Sequence, residues 1–401
     1  MKRMRKFAAA VFCAALAMTT PFSAFAAETE TETATEAVTE AASEASSEQT
    51  ESGPITITDI AGQEYTFDKP LGKVIVQWSA AGGPFMTMSA LLGDEVADHL
   101  AFIDDDMATS RADMWAKFTE TIPEIAELPT IGRVDKDSFD VEAAIASGAD
   151  AAIFPIDTKS AAEQSVQGKL EEAGIPVIYI NYHDETVENH VKSTEILGKL
   201  FGKEERAQEI IDFYKSHLEN VTDRVAKVLE TEERPNIYIE VAQGGPDTYG
   251  KSFDNSYMWG GIAYECGANN IGDGSVDGTA PMDPEAILTA NPDKIVFTGS
   301  YWVDNPESLR LGYDATKEQA EELINAYLQR DGWSDLNAVK NGDVYAIHHG
   351  LGREMYDCAC YEFFAKVCFP DEFSDLDPEA TLKEYFDTFL PYEYSGCWFV
   401  Y

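Results

Sequence analysis

Basic residues are scarce in this 401-residue sequence, which has 29 Lys and Arg against 72 Asp and Glu and a formal net charge of −43. A surface this acidic repels phosphate backbones and anionic lipids. We therefore expect neither nucleic acid nor an anionic membrane as a partner. Cationic or metal-bearing partners are compatible with it, although an acidic surface can also serve solubility alone.

Long hydrophobic runs are absent beyond residue 26, where no segment approaches the roughly 20 apolar residues of a membrane-spanning helix. The first residues are basic, an apolar stretch follows from Phe7 to Met18, and Ser-Ala-Phe-Ala ends at Ala26, the pattern of an export signal with its cleavage site. Cys13 follows the bulky Phe12, where a lipid-modified cysteine needs a small residue. We therefore expect a secreted or cell-surface-associated protein without a lipid on this cysteine.

Residues 27–53 lack aromatic and basic side chains and consist mainly of Glu, Thr, Ala and Ser. Such a segment cannot bury enough apolar surface to offset the entropy lost on ordering. The composition predicts a disordered acidic linker between the export signal and a folded region that begins near residue 54.

Motifs of catalysis are also missing. The sequence has no G-x-S-x-G nucleophile elbow, no phosphate-binding loop and no His-rich metallohydrolase motif. We therefore do not expect an enzyme or an intrinsic cofactor, and a secreted enzyme on this fold is the least favoured alternative.

Cysteines are few, and five follow the export signal: Cys266, Cys358, Cys360, Cys368 and Cys397. An odd number leaves at least one thiol free. Cys358 and Cys360 lie two apart in a helical pattern and so point to different faces. This spacing favours buried structural thiols over a redox or zinc site.

A repeated phrase is the most informative feature that is present. EAAIASGADAAIF (142–154) and EAILTANPDKIVF (285–297) both begin with Glu-Ala and place Asp eight positions after the Glu, just before an apolar run. Each predicts one helix that leads into one buried strand. Two such units in matching places favour a duplicated α/β architecture with two similar lobes.

The boundaries of these lobes follow from the surrounding patterns. A predicted hairpin (55–68), a buried strand (73–78) and a helix (85–92) open an N-terminal α/β lobe that we place at 54–185. A long amphipathic pattern, 186–230, then predicts a connection that is either one bent helix or two in succession, because Gly198 and Gly202 weaken it. A C-terminal α/β lobe follows at 231–401.

Several of these segments together resemble a known family. The hairpin ITITDIAGQEYTF, the strand KVIVQW, the stretch STEILGKLFGKEERAQEIIDFY and both repeated phrases are similar to those of the solute-binding proteins of ABC importers for iron–siderophore, haem and corrinoid complexes. The resemblance covers about Ile55 to Phe373. It implies two Rossmann-like lobes joined by a long rigid helix, a ligand cleft between them, and a monomer that delivers its ligand to a permease dimer. It also implies that one surface glutamate per lobe, Glu142 and Glu285, docks on the permease.

Candidate ligand contacts lie in loops that follow predicted strands, where ligands of wound α/β sheets bind. A chelated metal complex is bulky and often anionic at its edge, so its cleft needs aromatic faces and a few Arg or Tyr donors. Arg133 is the first choice for a carboxylate or phenolate, because its planar fork can bind two oxygens. The candidate set is Trp78, Arg133, Tyr182, His183, Tyr249, Tyr301, Trp302, His348, His349 and Arg353.

A carrier of free zinc or manganese ions is the main alternative. Such a site needs three or four His, Asp or Glu ligands from both lobes. His348 and His349 are adjacent on a predicted strand, so at most one can face the cleft. The N-terminal lobe offers His99 and His183 without an evident His-His-carboxylate set, although one His could act alone as an axial ligand of haem or cobalt.

Overall fold

The computed structural model describes residues 53–80, 82–184 and 186–401. The predicted export signal and all but the last residue of the predicted linker lie outside these ranges. No helix among the described residues is both long enough and apolar enough to cross a membrane.

Two parallel sheets organise the described chain. The thirteen strands of the described residues are β1 (Ile55–Thr58), β2 (Glu64–Phe67), β3 (Val74–Val76), β4 (Leu100–Phe102), β5 (Ala151–Pro155), β6 (Val177–Ile180), β7 (Asn236–Val241), β8 (Lys251–Phe253), β9 (Asn269–Asn270), β10 (Thr279–Pro281), β11 (Lys294–Gly299), β12 (Val344–His348) and β13 (Phe399–Val400). The N-terminal sheet is parallel in the order β4-β3-β5-β6. The C-terminal sheet has the order β13-β12-β11-β7-β9 and is parallel except for β13. The predicted hairpin is the antiparallel pair β1-β2, and β8 pairs antiparallel with β10.

Helices cover the faces of both sheets. The α-helices of the described residues are α1 (Phe85–Leu92), α2 (Asp106–Ser110), α3 (Ala112–Thr121), α4 (Glu124–Glu127), α5 (Val141–Ala146), α6 (Lys159–Ser165), α7 (Gln167–Glu172), α8 (Val187–Leu200), α9 (Glu204–Val228), α10 (Met258–Glu265), α11 (Pro284–Ala290), α12 (Lys317–Tyr327), α13 (Asn337–Asn341), α14 (Cys358–Cys368) and α15 (Pro378–Phe389). Because both faces are covered, the central strands are continuous apolar runs, and every residue of β5 and β6 is buried. The α/β class with two lobes is as the sequence predicts.

The repeated phrase forms the same structure in both lobes. Helices α5 and α11 begin after Asp140 and Asp283, whose side chains cap them, and lead into β5 and β11. The Asp that follows each helix forms two hydrogen bonds with the backbone at the start of the neighbouring strand. Asp150 Oδ2 accepts from Lys73 N at 3.1 Å, and Asp150 N donates back to Lys73 O at 2.8 Å. In the second lobe, Asp293 Oδ2 accepts from Asn236 N at 3.0 Å, and Asp293 N donates back to Asn236 O at 2.8 Å.

The connection between the lobes is two helices in succession, the second of the two alternatives. Helix α8 ends at Leu200 and α9 begins at Glu204. Gly202 has a φ of 63°, a left-handed conformation that favours glycine. A Cβ on Gly198 would lie 2.5 Å from Cβ of Ala207, so a glycine there lets α8 approach the first turn of α9 closely.

The largest hydrophobic core joins the two halves of the chain. It runs from one face of the N-terminal sheet through α9 to α14 and α15. Smaller cores lie against the remaining face of each sheet. All five cysteines after the export signal are buried, as expected of structural residues. Burial raises the pKa of Cys368 to about 12, which keeps that thiol protonated.

Candidate ligand-binding cleft

Loops at the carboxyl ends of the parallel strands bring the candidate side chains together. In the N-terminal lobe, Trp78 follows β3, Asp157 follows β5 and His183 follows β6. In the C-terminal lobe, Trp302 follows β11 and Arg353 follows β12. Carboxyl ends of parallel strands meet at one edge of a sheet, which is where such folds hold their ligands.

His183 connects the two lobes. Its Nδ1 lies 2.7 Å from Oδ2 of Asp157, and its Nε2 lies 3.4 Å from Nη1 of Arg353. Burial lowers the pKa of His183, and the Arg353 charge lowers it further against the opposing effect of Asp157. The ring is therefore neutral at pH 7, with Nδ1–H donating to Asp157 and the Nε2 lone pair facing Arg353.

Trp78 forms the N-terminal wall beside this histidine. Its ring centroid lies 4.2 Å from that of His183, and the guanidinium of Arg133 lies 5.3 Å from the ring centroid. The backbone of Trp78 has a φ of 60°, and its N–H donates to Asp104. Gly82 packs against His183 so closely that a Cβ there would lie 2.1 Å from the ring. The wall is thus tightly built around the imidazole.

Arg133 also lies at this wall, and its guanidinium binds carboxylates of the protein itself. Nε and Nη2 donate to both oxygens of Asp135 at 2.9 and 2.8 Å, and Nη1 donates to Asp106 at 2.5 Å. The bidentate geometry that made Arg133 the first choice for a ligand oxygen is therefore directed at protein carboxylates.

A pocket of about 180 Å³ opens in the C-terminal side of the cleft. Its described lining residues are Val241, Gln243, Lys251, Phe253, Tyr257, Met258, Thr279, Trp302, His349 and Arg353. They include two cations and no carboxylate, in a chain whose net charge is −43. The pocket is therefore a local positive site on an acidic protein, suited to an anionic group.

His349 forms part of this pocket as a neutral donor. Trp259 Nε1 and the Thr298 hydroxyl lie 3.3 and 2.9 Å from its Nδ1, so that atom is the acceptor and the proton is assigned to Nε2. Burial, followed by the charges of Arg111 and Arg353, lowers the pKa of His349 to about 3.

Backbone strain is concentrated at the same place. Arg353 has a φ of 75° and Met258 a φ of 42°, in addition to Trp78. Left-handed conformations at non-glycine residues cost of order 1–3 kcal/mol and gather at binding sites. Tyr257, which precedes Met258, is 38% exposed, and the Arg353 guanidinium lies 5.2 Å from the centroid of its ring.

Comparisons with known proteins identify the architecture. The sequence profile of periplasmic binding proteins matches residues 156–350. The crystal structure of the TroA-like periplasmic binding protein FepB from Veillonella parvula is 45% identical in sequence, covers 87% of this chain and 99% of that chain, and superposes with a TM-score of 0.84. The chain belongs to the periplasmic binding protein family.

Other relatives agree with this assignment. The ABC transporter substrate-binding lipoprotein YvrC of Bacillus subtilis, itself uncharacterised, is 26% identical over 334 residues, which is 82% of this chain and 89% of that protein. MolA from Haemophilus influenzae, solved with molybdate, shares the fold at a TM-score of 0.61 with 14% identity, covering 85% of this chain and 99% of that one. This family member is therefore a substrate-binding protein of an ABC transporter, not an enzyme, and acts outside the cytoplasm with a permease.

Four of the predicted contacts point elsewhere in this binding protein. Tyr182 is completely buried, with its hydroxyl 2.9 Å from Thr194 Oγ1. His348 is buried, and its ring centroid lies 4.7 Å from that of Trp398. Successive side chains of a strand point to opposite faces, so His348 points away from the pocket that His349 lines. Tyr301 stacks on Arg310 at 3.9 Å.

Tyr249 belongs to a structural cage around Arg330. Its ring lies 4.2 Å from that guanidinium, and its hydroxyl accepts from Trp333 Nε1 at 2.9 Å. Arg330 also forms a bidentate pair with the fully buried Glu240. The cage fixes the loop after β7.

Four cleft residues are not among the candidates predicted from the sequence: Asp157, Lys251, Tyr257 and Met258. The segment from Lys251 to Met258 reads as an ordinary polar turn, and its signal would have been the single Lys beside two aromatic residues. Glu142 and Glu285 are both exposed at the second position of α5 and α11, in equivalent places of the two lobes.

Proposed function

We propose that this protein captures a chelated metal complex with anionic groups, such as a ferric siderophore, haem or a corrinoid, and delivers it to an ABC permease. The observation that carries the proposal is a continuous series of contacts across both lobes. It runs from Arg133 through Trp78 and His183 to Arg353 and Tyr257.

The combination of aromatic rings and guanidiniums in this series suits such a ligand. Aromatic faces bind flat or bulky organic groups, and arginines bind carboxylate, phenolate or similar oxygens at the periphery. Lys251 adds a second cation to the C-terminal pocket. The pocket of about 180 Å³ is smaller than typical ligand sites of roughly 300–1,000 Å³, so it would take one arm of a chelator and leave the remainder in the cleft.

His183 would contact the metal centre. Asp157 fixes its tautomer, which is how carboxylates orient histidines that ligate metals. Once Arg353 turns to an anionic ligand group, the Nε2 lone pair is available as a single axial donor. A bare divalent ion requires more ligands, and the described residues contain no group of three or more His, Cys, Asp or Glu that could hold one.

A small oxyanion is the second candidate. The size and charge of the C-terminal pocket favour it, and the relative MolA was solved with molybdate. The two candidates differ in their contacts, because an oxyanion held by Lys251 and Arg353 would not need Trp78 or His183.

Tryptophan emission during titration tests both. The purified protein is titrated with a ferric catecholate, a ferric hydroxamate, haemin, cobalamin, molybdate and bare Zn²⁺ or Mn²⁺. We expect saturable binding of one metal complex, weakened by Arg353→Met and Lys251→Met but not by Lys340→Met, which removes an exposed charge of the same lobe. Binding of bare divalent ions alone would overturn the proposal, and binding of molybdate alone would select the second candidate.

Export and docking complete the proposal. The signal pattern ending at Ala26 would deliver the chain through the membrane, to act as a secreted or surface-associated monomer without a lipid on Cys13. Glu142 and Glu285 would contact basic residues on the two permease subunits, one glutamate per lobe.

A further inference from the structure

Arg111 crosses from one lobe to the other. It lies between α2 and α3 of the N-terminal lobe, is only 6% exposed, and reaches the loop after β12. Its Nη1 donates to Gly350 O at 3.3 Å and to Met114 Sδ at 3.5 Å. A Cβ on Gly350 would lie 2.1 Å from Cζ of Arg111, so the guanidinium lies directly against the glycine.

The same corner makes a second contact of the same kind. Asp113 Oδ2 accepts from Tyr313 N at 2.9 Å, and a Cβ on Gly312 would lie 2.4 Å from that oxygen. A charged side chain of the N-terminal lobe thus meets a glycine of the C-terminal lobe at two points. A Cβ at either glycine would therefore require the charged side chain that faces it to move.

The loop that receives Arg111 carries the ligand pocket. His349 precedes Gly350 and Arg353 follows it by three residues, and both line the pocket of about 180 Å³. Trp259 and Thr298 hold His349 from within its own lobe. Arg111 holds the other side of the loop, and it is not among the described residues that line the pocket.

We propose that Arg111 is a positioning residue for ligand binding, through which the N-terminal lobe fixes loop 349–354 and thereby His349 and Arg353. The inference rests on the proposed function only in assuming that the pocket takes part of the ligand. It implies that pocket geometry depends on a residue that touches no ligand.

Fluorine NMR of protein labelled with 5-fluorotryptophan tests this without any ligand. Trp259 and Trp302 flank His349, with ring centroids 6.3 and 5.6 Å from it, and each resonance is assigned by a Trp→Phe variant. We expect Arg111→Met and Gly350→Ala to shift these two resonances. Gly168→Ala in α7 is the control for an added methyl group, because a Cβ there would meet no atom of a neighbouring element within 4 Å.

Arg224→Met is the control for loss of an arginine. Arg224 pairs with Asp375 at 2.7 Å and stacks on Phe373 at 4.5 Å, contacts made through α9 and outside the cleft. Its loss should lower the unfolding temperature without moving the two resonances.

Affinity provides the second readout. Arg111→Met and Gly350→Ala should weaken binding of whichever probe the wild type binds, among the ferric complexes, haemin, cobalamin and molybdate, by roughly 3- to 30-fold. Arg111→Ala combined with Gly350→Ala should bind no worse than Arg111→Ala, because the new methyl group then has room. Arg111→Lys should recover part of the affinity by restoring the donor to Gly350.

A change in unfolding temperature alone, with both tryptophan resonances and the affinity unchanged in Arg111→Met, would overturn the proposal. Binding of no probe by the wild type would count against the proposed function, while the resonances would still decide the role of Arg111.

Discussion

Nη1 of Arg353 lies 3.4 Å from Nε2 of His183, across the cleft between the two lobes. The two residues are 170 positions apart, and His183 has a second partner in Asp157 that fixes its tautomer. Asp157 holds the proton of His183 on Nδ1, so the nitrogen that faces Arg353 carries a lone pair. A ligand that brings both an anionic group and a metal would satisfy both residues at once.

Arg353 should be the strongest single contact for an anionic ligand. Arg353→Met should weaken binding by about 1.5–3 kcal/mol, the range for a hydrogen bond to a charged group, and Arg353→Lys should recover only part of it. Isothermal titration with the complex that binds the wild type measures both. An affinity unchanged in Arg353→Met would contradict this assignment.

Arg133 should behave differently, since its fork binds Asp106 and Asp135. Arg133→Ala should weaken an anionic ligand mainly by leaving two carboxylates uncompensated at the cleft wall. Asp135→Asn in the Arg133→Ala background should therefore restore part of the affinity. If that second substitution has no effect, Arg133 contacts the ligand directly, as the sequence alone predicts.

Glu142 and Glu285 should matter for delivery and not for capture. Both are exposed at equivalent helix starts, so replacing both with Ala should abolish stimulation of the transporter ATPase and leave ligand affinity within about twofold. Glu372→Ala, at another exposed glutamate, is the control. A loss of ligand affinity in the double variant would refute the docking role.

Buried histidines should make the protein less stable in acid. Burial lowers the pKa of His190 to about 4 and that of His349 to about 3, against roughly 6.5 in the unfolded chain. Below pH 6.5 these histidines become protonated in the unfolded state but stay neutral in the folded state. Each should therefore lower the free energy of unfolding by roughly 2 kcal/mol at pH 5. Urea unfolding at pH 5 to 7 measures the slope, and His190→Gln should reduce it.

Glu354 should set the alkaline limit. Burial raises the pKa of its carboxyl to about 8, although the Arg111 charge and the Gly82 N–H oppose the rise. The folded state therefore keeps a proton that the unfolded chain loses near pH 4.5, and stability should fall as pH rises toward 8. Glu354→Gln keeps the acceptor for Gly82 and should flatten that decline in urea unfolding between pH 6.5 and 8, whereas Glu372→Gln should not.

The α/β class, the repeated unit and the location of the cleft could be predicted from sequence because each depends on local order. The eight-residue interval from Glu142 to Asp150 is the length of a short helix and turn, and it recurs from Glu285 to Asp293. Parallel strands then bring their following loops to one edge whatever the loops contain.

Only the tertiary structure decided which loop side chains face the ligand. Tyr182 and His183 are neighbours in sequence. The Tyr182 hydroxyl forms a hydrogen bond with Thr194 in the core, whereas the His183 ring contacts Arg353 of the opposite lobe. The Arg133 side chain pairs with the nearby Asp135 and also with Asp106, which lies 27 positions earlier in the chain. Beyond a strand end the side-chain direction has no fixed period, so it is set by packing and charge partners that are distant in sequence.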